Sequence, residues 1–229
     1  IDLITGFLGS GKTTFIKKYA KYLMTQGMNI GILENDFGAV NVDMMLLKDL
    51  EGDQCELEMV AGGCDADCHR RRFKTKLIAM GMCGYDRVIV EPSGIFDVDE
   101  FFDVLREEPL DQWYEIGSVI TIMNAKLEDT LSEEAEYLLA SEAANAGCVV
   151  LSRSQDASPE EIAKTRAHLN CALQAVHCSR QFGDEIIEKN WEDFTEQDLE
   201  RIQNSGYHVE DYTKLHFPEK ERFQSVCVM

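Results

Sequence analysis

"GFLGSGKT", residues 6 to 13, follows the short apolar run "IDLIT" (1 to 5) and opens the amphipathic stretch Lys12 to Met24. It fits G-x-x-x-x-G-K-[ST], and a place after a strand and at the head of a helix is the setting in which that pattern cradles phosphate. Gly6, Gly9 and Gly11 let the backbone turn so that its N–H groups point at phosphate oxygens, and the helix N terminus adds positive potential there. Ser10 and Thr14 complete the expected phosphate-binding set. Lys12 is expected to reach the β and γ phosphates and the Thr13 hydroxyl to ligate Mg²⁺.

Outward from this loop, short apolar runs alternate with amphipathic segments. "NIGIL" (29 to 33), "DRVIVE" (86 to 91), "SVITIM" (118 to 123), "GCVVLS" (147 to 152) and "LQAVH" (173 to 177) read as buried strands, with "CELEMV" (55 to 60) as one more. Val98 to Arg106, Ser132 to Asn145 and Pro159 to Leu169 read as helices, and the acid-rich region from Gly183 to Asp211 as a polar surface helix. The alternation predicts an α/β fold, a mostly parallel sheet with helices on both faces and ligands at the carboxyl ends of the strands.

Length allows one sizeable domain, expected to be a nucleotide-binding domain over residues 1–217, and "ERFQSVCVM" beyond Pro218 reads as the first strand of a truncated C-terminal domain over 218–229. The net charge of −20 opposes nucleic acid and anionic membranes as partners, and no apolar stretch is long enough to span a bilayer. Eight unevenly spaced cysteines in 229 residues suit reduced thiols, and with no secretory leader visible in these residues a cytoplasmic protein is expected.

Two acidic segments follow strands on the expected ligand side. "LENDFGAVNVD" (33 to 43) supplies Glu34, Asp36 and Asp43, and "VIVEPSG" (88 to 94) ends its strand on Glu91. Behind a phosphate loop, such oxygens complete a Mg²⁺ shell or orient an attacking water, and Gly38 and Gly94 would let these loops follow the γ phosphate. Asp36 and Glu91 are the expected catalytic acids beside Lys12 and Thr13.

"GFLGSGKTT", "ENDFGAVNVD", "GGC" and "EPSG", in that order, resemble the CobW/HypB/UreG family of P-loop GTPases, within it the CobW-like branch, over most of the chain to about residue 178. The resemblance implies Mg²⁺-dependent GTP hydrolysis that delivers or inserts metals, or assists cobalamin- and metal-dependent enzymes, with a second domain beginning near Pro218. Two departures stand out. Of the family's C-x-C-C motif only Cys64 is in register, with Ala66 and Asp67 in the other places and Cys68 one residue late. Where the family reads guanine with N-K-x-D, this chain has Ser152, Arg153, Ser154 and Gln155, then Asp156. A carboxylate accepts hydrogen bonds from both guanine N1–H and the exocyclic amine, whereas Gln155 offers one amide oxygen. Guanine preference is therefore expected to be relaxed. Arg153 would lie over the base, and a one-residue shift would bring Asp156 into the reading position; GTP is placed ahead of ATP.

"GGCDADCH" (62 to 69) has two readings. On one helical turn Cys64 and Cys68 share a face and would bind Zn²⁺ or another transition metal, with Asp67 or Glu34 supplying oxygen; Cys68 and His69 share an ion only if the backbone is irregular. Alternatively the segment is a helix N terminus capped by its aspartates. The basic tract "HRRRFKTK" (69 to 76) favours a thiolate at Cys68 but opposes a bound cation. Two functions therefore stand side by side. One is a slow NTPase whose hydrolysis gates metal or cofactor delivery to a client metalloprotein, with a client or homodimer partner left to supply an arginine finger. The other is a nucleotide-switched interaction module without metal transfer, with ATP preference as a further variant.

Overall fold

The computed structural model describes residues 1–36, 42–61, 66–92, 98–128 and 130–215. Among them the strands are β1 (Asp2–Thr5), β2 (Ile30–Asp36), β3 (Cys55–Ala61), β4 (Arg87–Glu91), β5 (Val119–Asn124), β6 (Cys148–Ser152) and β7 (Ile186–Ile187). The helices are α1 (Lys12–Thr25), α2 (Val42–Leu47), α3 (Ala66–Cys83), α4 (Val98–Leu105), α5 (Leu110–Trp113), α6 (Glu133–Ala144), α7 (Pro159–Ala175) and α8 (Glu196–Gln203). The strands form an all-parallel sheet in the order β3-β2-β4-β1-β5-β6-β7, the arrangement that strand–helix alternation predicts.

Two compact units make up the chain. The first holds residues 1–4 and 12–117, the second residues 5–11 and the described chain from Ser118 onward.

In the first unit α1 buries Phe15, Ile16, Tyr19, Ala20 and Leu23, a stripe of helical period. The helix stops at Gly27, where φ is +80°. The Gly27 N–H donates to Met24 O at 2.9 Å and the Met28 N–H to Leu23 O at 3.3 Å, which satisfies carbonyls the helix leaves open. The Asp2 carboxylate is fully buried and accepts from the Tyr19 hydroxyl at 2.8 Å and from the Arg87 guanidinium at 2.8 Å, tying β1, α1 and β4 together. β2 pairs with β3 and β4, and β4 with β1, all in parallel register.

In the second unit β6 pairs in parallel with β5 and β7. Beyond α8 the described residues as far as Thr213 are tied down. Val119 N–H donates to Gly206 O at 2.9 Å, His208 N–H to Asn145 O at 3.0 Å, and Thr213 N–H to Val176 O at 2.7 Å. Ser118 Oγ donates to Gln203 O at 2.8 Å and accepts from Gly206 N–H at 3.0 Å.

Two sequence expectations are corrected here. Residues 173 to 175 of "LQAVH" are the end of α7, and 176 to 177 form no strand. Leu173 continues the buried stripe Thr165, Leu169, Ala172 of a helix that Ser158 starts with a capping box, so helical periodicity outweighs local strand preference. The region from Gly183 to Asp211 is not one polar helix, because β7, a 3₁₀ turn at Trp191–Asp193 and α8 divide it. Residues 216–229, with the expected domain start at Pro218, lie outside the described residues.

Candidate functional site

The loop after β1 takes a path that side chains oppose: φ is +135° at Gly6, +75° at Gly9 and +99° at Gly11. A Cβ on Gly6 would stand 2.2 Å from the Ile122 carbonyl oxygen, so glycine is required there. The Ser10 N–H donates to Phe7 O at 3.0 Å and closes the turn. α1 begins at the next residue but one, Lys12, which gives the loop the helix N terminus expected beside phosphate.

Within the first unit Lys12, Thr13 and Glu91 converge, all three buried. Thr13 Oγ1 donates to the two Glu91 carboxylate oxygens at 3.3 and 3.4 Å, and Lys12 Nζ lies 3.9 Å from Glu91 Oε1. Glu34 is in register with Glu91 on the neighbouring strand and is 2% exposed. Lateral partners on parallel strands point to the same face, so two buried acids stand side by side, Glu91 at the carboxyl end of β4 and Glu34 two residues short of that of β2, with Lys12 beside Glu91. Oxygen donors of this kind suit a hard cation and not a soft one. Asp36 closes β2 opposite Ala61 of β3. Its side chain lies outside the described residues, as do Gly38, Cys64, Gly94 and the side chains of Asp43 and Asp67.

Cys68 is half-buried in the first turn of α3, and His69 follows it on the same regular helix, 5% exposed. Successive helical residues diverge by about 100°, so Cys68 and His69 do not share an ion. Burial, with Arg72 nearby, holds the His69 imidazole below its usual pKa. The basic tract is partly neutralised: Arg70 and Lys74 meet Glu107 at 2.7 and 2.5 Å, and Lys76 meets Glu58 at 2.7 Å. Arg71 and Arg72 are exposed and, with Lys76, Cys68 and Met59, line a cavity of about 560 Å³.

Among the described residues no group of three or more His, Cys, Asp or Glu side chains is gathered to hold a metal. His168 pairs with Glu136 at 2.6 Å, while Cys171 is exposed and Cys178 buried, so this cluster disperses into packing. Burial pushes the Cys55 and Cys148 thiols up to about 11, which marks both as unreactive at neutral pH.

In the second unit, β6 ends on Ser152, which is buried; its Oγ donates to Met123 O at 3.4 Å. Its Cβ stands 3.7 Å from where a Gly11 Cβ would be, so Ser152 backs the phosphate loop. Arg153 adopts φ +55° with its side chain exposed. Gln155 and Asp156 are exposed neighbours on the 3₁₀ turn Ser154–Asp156, and Gln155 Nε2 donates to Asp156 Oδ2 at 3.3 Å. Sequence reading misses one residue here. The Trp191 ring edge, Cη2 and Cζ3, lies 3.2 and 3.6 Å from the Cβ position of Gly11, and its indole N–H donates to Leu151 O at 2.8 Å. No local pattern announces a contact between residues so far apart in sequence.

No helix among the described residues is long and apolar enough to cross a membrane. The chain is 28% identical over 160 residues to the zinc chaperone YeiR of Escherichia coli (strain K12), covering 69% of this chain and 48% of that protein. It is 29% identical over 136 residues to the zinc chaperone YjiA of the same organism, covering 55% and 40%. The chain thus spans about half the length of the curated relatives it matches or less. Among solved structures, HypB from Helicobacter pylori in complex with nickel aligns with a TM-score of 0.52 at 15% identity, over 89% of this chain and 83% of that one, a likeness of fold. The family model "CobW/HypB/UreG, nucleotide-binding domain" matches residues 1–181, most of the chain, and the chain belongs to that family.

Proposed function

We propose that this chain binds and slowly hydrolyses a nucleoside triphosphate, GTP ahead of ATP, with Mg²⁺, and that hydrolysis gates delivery of a metal such as Zn²⁺ to a client metalloprotein. The convergence of Lys12, Thr13 and Glu91 carries this reading. Lys12 offsets charge on the β and γ phosphates. Thr13 and Glu91, with Glu34 beside them, supply oxygens that would hold Mg²⁺ directly or through water, and the bound ion would supply neutralisation of the phosphate charge. Glu91 or Asp36 orients the attacking water. Gly6, Gly9, Ser10, Gly11 and Thr14 bind phosphate, and Arg153 and Gln155 face the base. Cys64, Asp67 and Cys68 are the proposed transition-metal ligands, a role supported by the relatives named zinc chaperones.

The test is a set of GTP and ATP titrations with Mg²⁺, each with and without Zn²⁺, followed by turnover of Glu91→Gln. Tight triphosphate binding with a kcat about 100-fold below that of the unaltered chain is expected for Glu91→Gln. Unchanged turnover removes Glu91 from the chemistry, and equal affinity for both nucleotides ends the guanine preference.

The cavity beside Cys68 favours a second reading, a nucleotide-switched module that docks an acidic partner on Arg71, Arg72 and Lys76 without moving metal. Replacing Cys64 and Cys68 by serine separates the two. Zinc affinity collapses under the first reading, and nucleotide-dependent partner binding survives under the second.

A further inference from the structure

We propose that Trp191 is a wall of the nucleoside pocket and that stacking on its indole supplies most of the base affinity, so that this site tells purine from pyrimidine better than guanine from adenine. The inference rests on the nucleotide reading above. Three observations within the second unit carry it.

The indole is fixed at one edge and aimed at the phosphate loop. Its N–H is held by the Leu151 carbonyl at 2.8 Å, on the strand that leads into Ser152 and Arg153, while the opposite ring edge comes to 3.2 Å of the Gly11 Cβ position. Gly11 directly precedes the lysine of the loop. A triphosphate on that loop sends its nucleoside towards the carboxyl ends of the following strands, which is where the residues after β6 and β7 lie. The ring is also half-buried, so it keeps surface that a ligand can cover.

The hydrogen-bonding side of base recognition is weak. Gln155 commits an amide N–H to Asp156 and has no carboxylate to accept two guanine donors. Ser152 is occupied with the Met123 carbonyl and with backing Gly11. Stacking on an aromatic face tolerates any purine and discriminates by overlap area, which is larger for a purine than for a pyrimidine.

The chain has two tryptophans, Trp113 and Trp191, so Trp113→Phe leaves a single reporter without touching position 191. Its emission is followed while GTP, ATP, UTP and tripolyphosphate are added with Mg²⁺, and binding of each is measured independently by calorimetry. GTP and ATP are expected to change the Trp191 emission on saturation, and tripolyphosphate to bind with little change. Trp191→Ala should weaken GTP and ATP about five- to 100-fold and UTP less, leave tripolyphosphate unaltered, and Trp191→Phe should restore most of the loss.

Calorimetric saturation with no change in emission overturns the inference while leaving nucleotide binding intact. An equal loss of GTP and tripolyphosphate affinity in Trp191→Ala also overturns it, because the ring would then only prop Gly11. If no nucleotide binds at all, the function proposed above falls and this inference with it.

Discussion

Gln155 donates an amide hydrogen to the carboxylate after it, and that pair occupies the place assigned to base discrimination. Restoring an acid there adds a charged acceptor for guanine N1–H and amine, the kind of hydrogen bond whose gain is about 1.5–3 kcal/mol. Gln155→Asp is therefore expected to raise the ratio of GTP to ATP affinity about ten- to 100-fold, read from paired titrations; an unchanged ratio would move the reading role to Asp156. The phosphate-loop glycines, Lys12, Thr13 and Glu91 were legible at this scale because each sits at a fixed offset from a strand end or a motif. Trp191 was not, since its meaning comes from Gly11 and Leu151, 180 and 40 residues away. His69 beside Cys68 shows a condition decided by the fold: the two could share an ion only on an irregular backbone, and a regular helix turns the side chains apart.

Among elements, α8 shows how a short helix is held. Thr195 accepts from the Asp198 N–H, and Asp198 accepts from the Thr195 N–H at 2.7 Å and from Lys189 Nζ at 2.6 Å. Lys189, then the Thr195 backbone and hydroxyl, hold the Asp198 pKa at about 2, below its ordinary 3.8. A depressed carboxylate pKa stabilises the fold fully above the unfolded value, near pH 4, and that contribution is lost as pH falls through about 2. Asp198→Ala is expected to cost about 1 kcal/mol at pH 7 in urea unfolding, and the difference from the unaltered chain should vanish near pH 2. The six longer strands were readable from their apolar runs, whereas β7 has two residues, too few for any period to show. α7 runs past its expected end because its capping box and buried stripe outweigh the strand preference of the β-branched Val176 at its C-cap.

For the molecule as a whole, the charge of −20 is carried with few buried acids among the described residues, and Asp2 among them depends on its neighbours for compensation. It holds Arg87 and Tyr19, and the phenol is in turn driven well above its usual pKa by burial and by the Asp2 charge. Removing one member leaves the others buried without their partner. Asp2→Ala is expected to destabilise the chain by about 3–5 kcal/mol in denaturant unfolding, whereas breaking an exposed pair such as Lys126 with Glu161 is expected to leave the unfolding midpoint nearly unchanged. A parallel sheet layered with helices was legible in the alternation of segments, because each segment's apolar pattern reports how it is covered. The division into two units was not legible, since two of its three boundaries in the chain, after Ile4 and after Gly11, fall just before and within the phosphate motif.

The hydrogen bonds that the chain beyond α8 makes to Ser118, Val119, Asn145 and Val176 bear on where this protein can be cut for expression. The family match stops at residue 181, yet a fragment ended there would lack β7, Trp191 and the buried Leu199 and Ile202, and would leave the start of β5 without its acceptor at Gly206. The shortest fragment that keeps every one of those ties runs through Thr213, some thirty residues past the boundary that sequence similarity suggests.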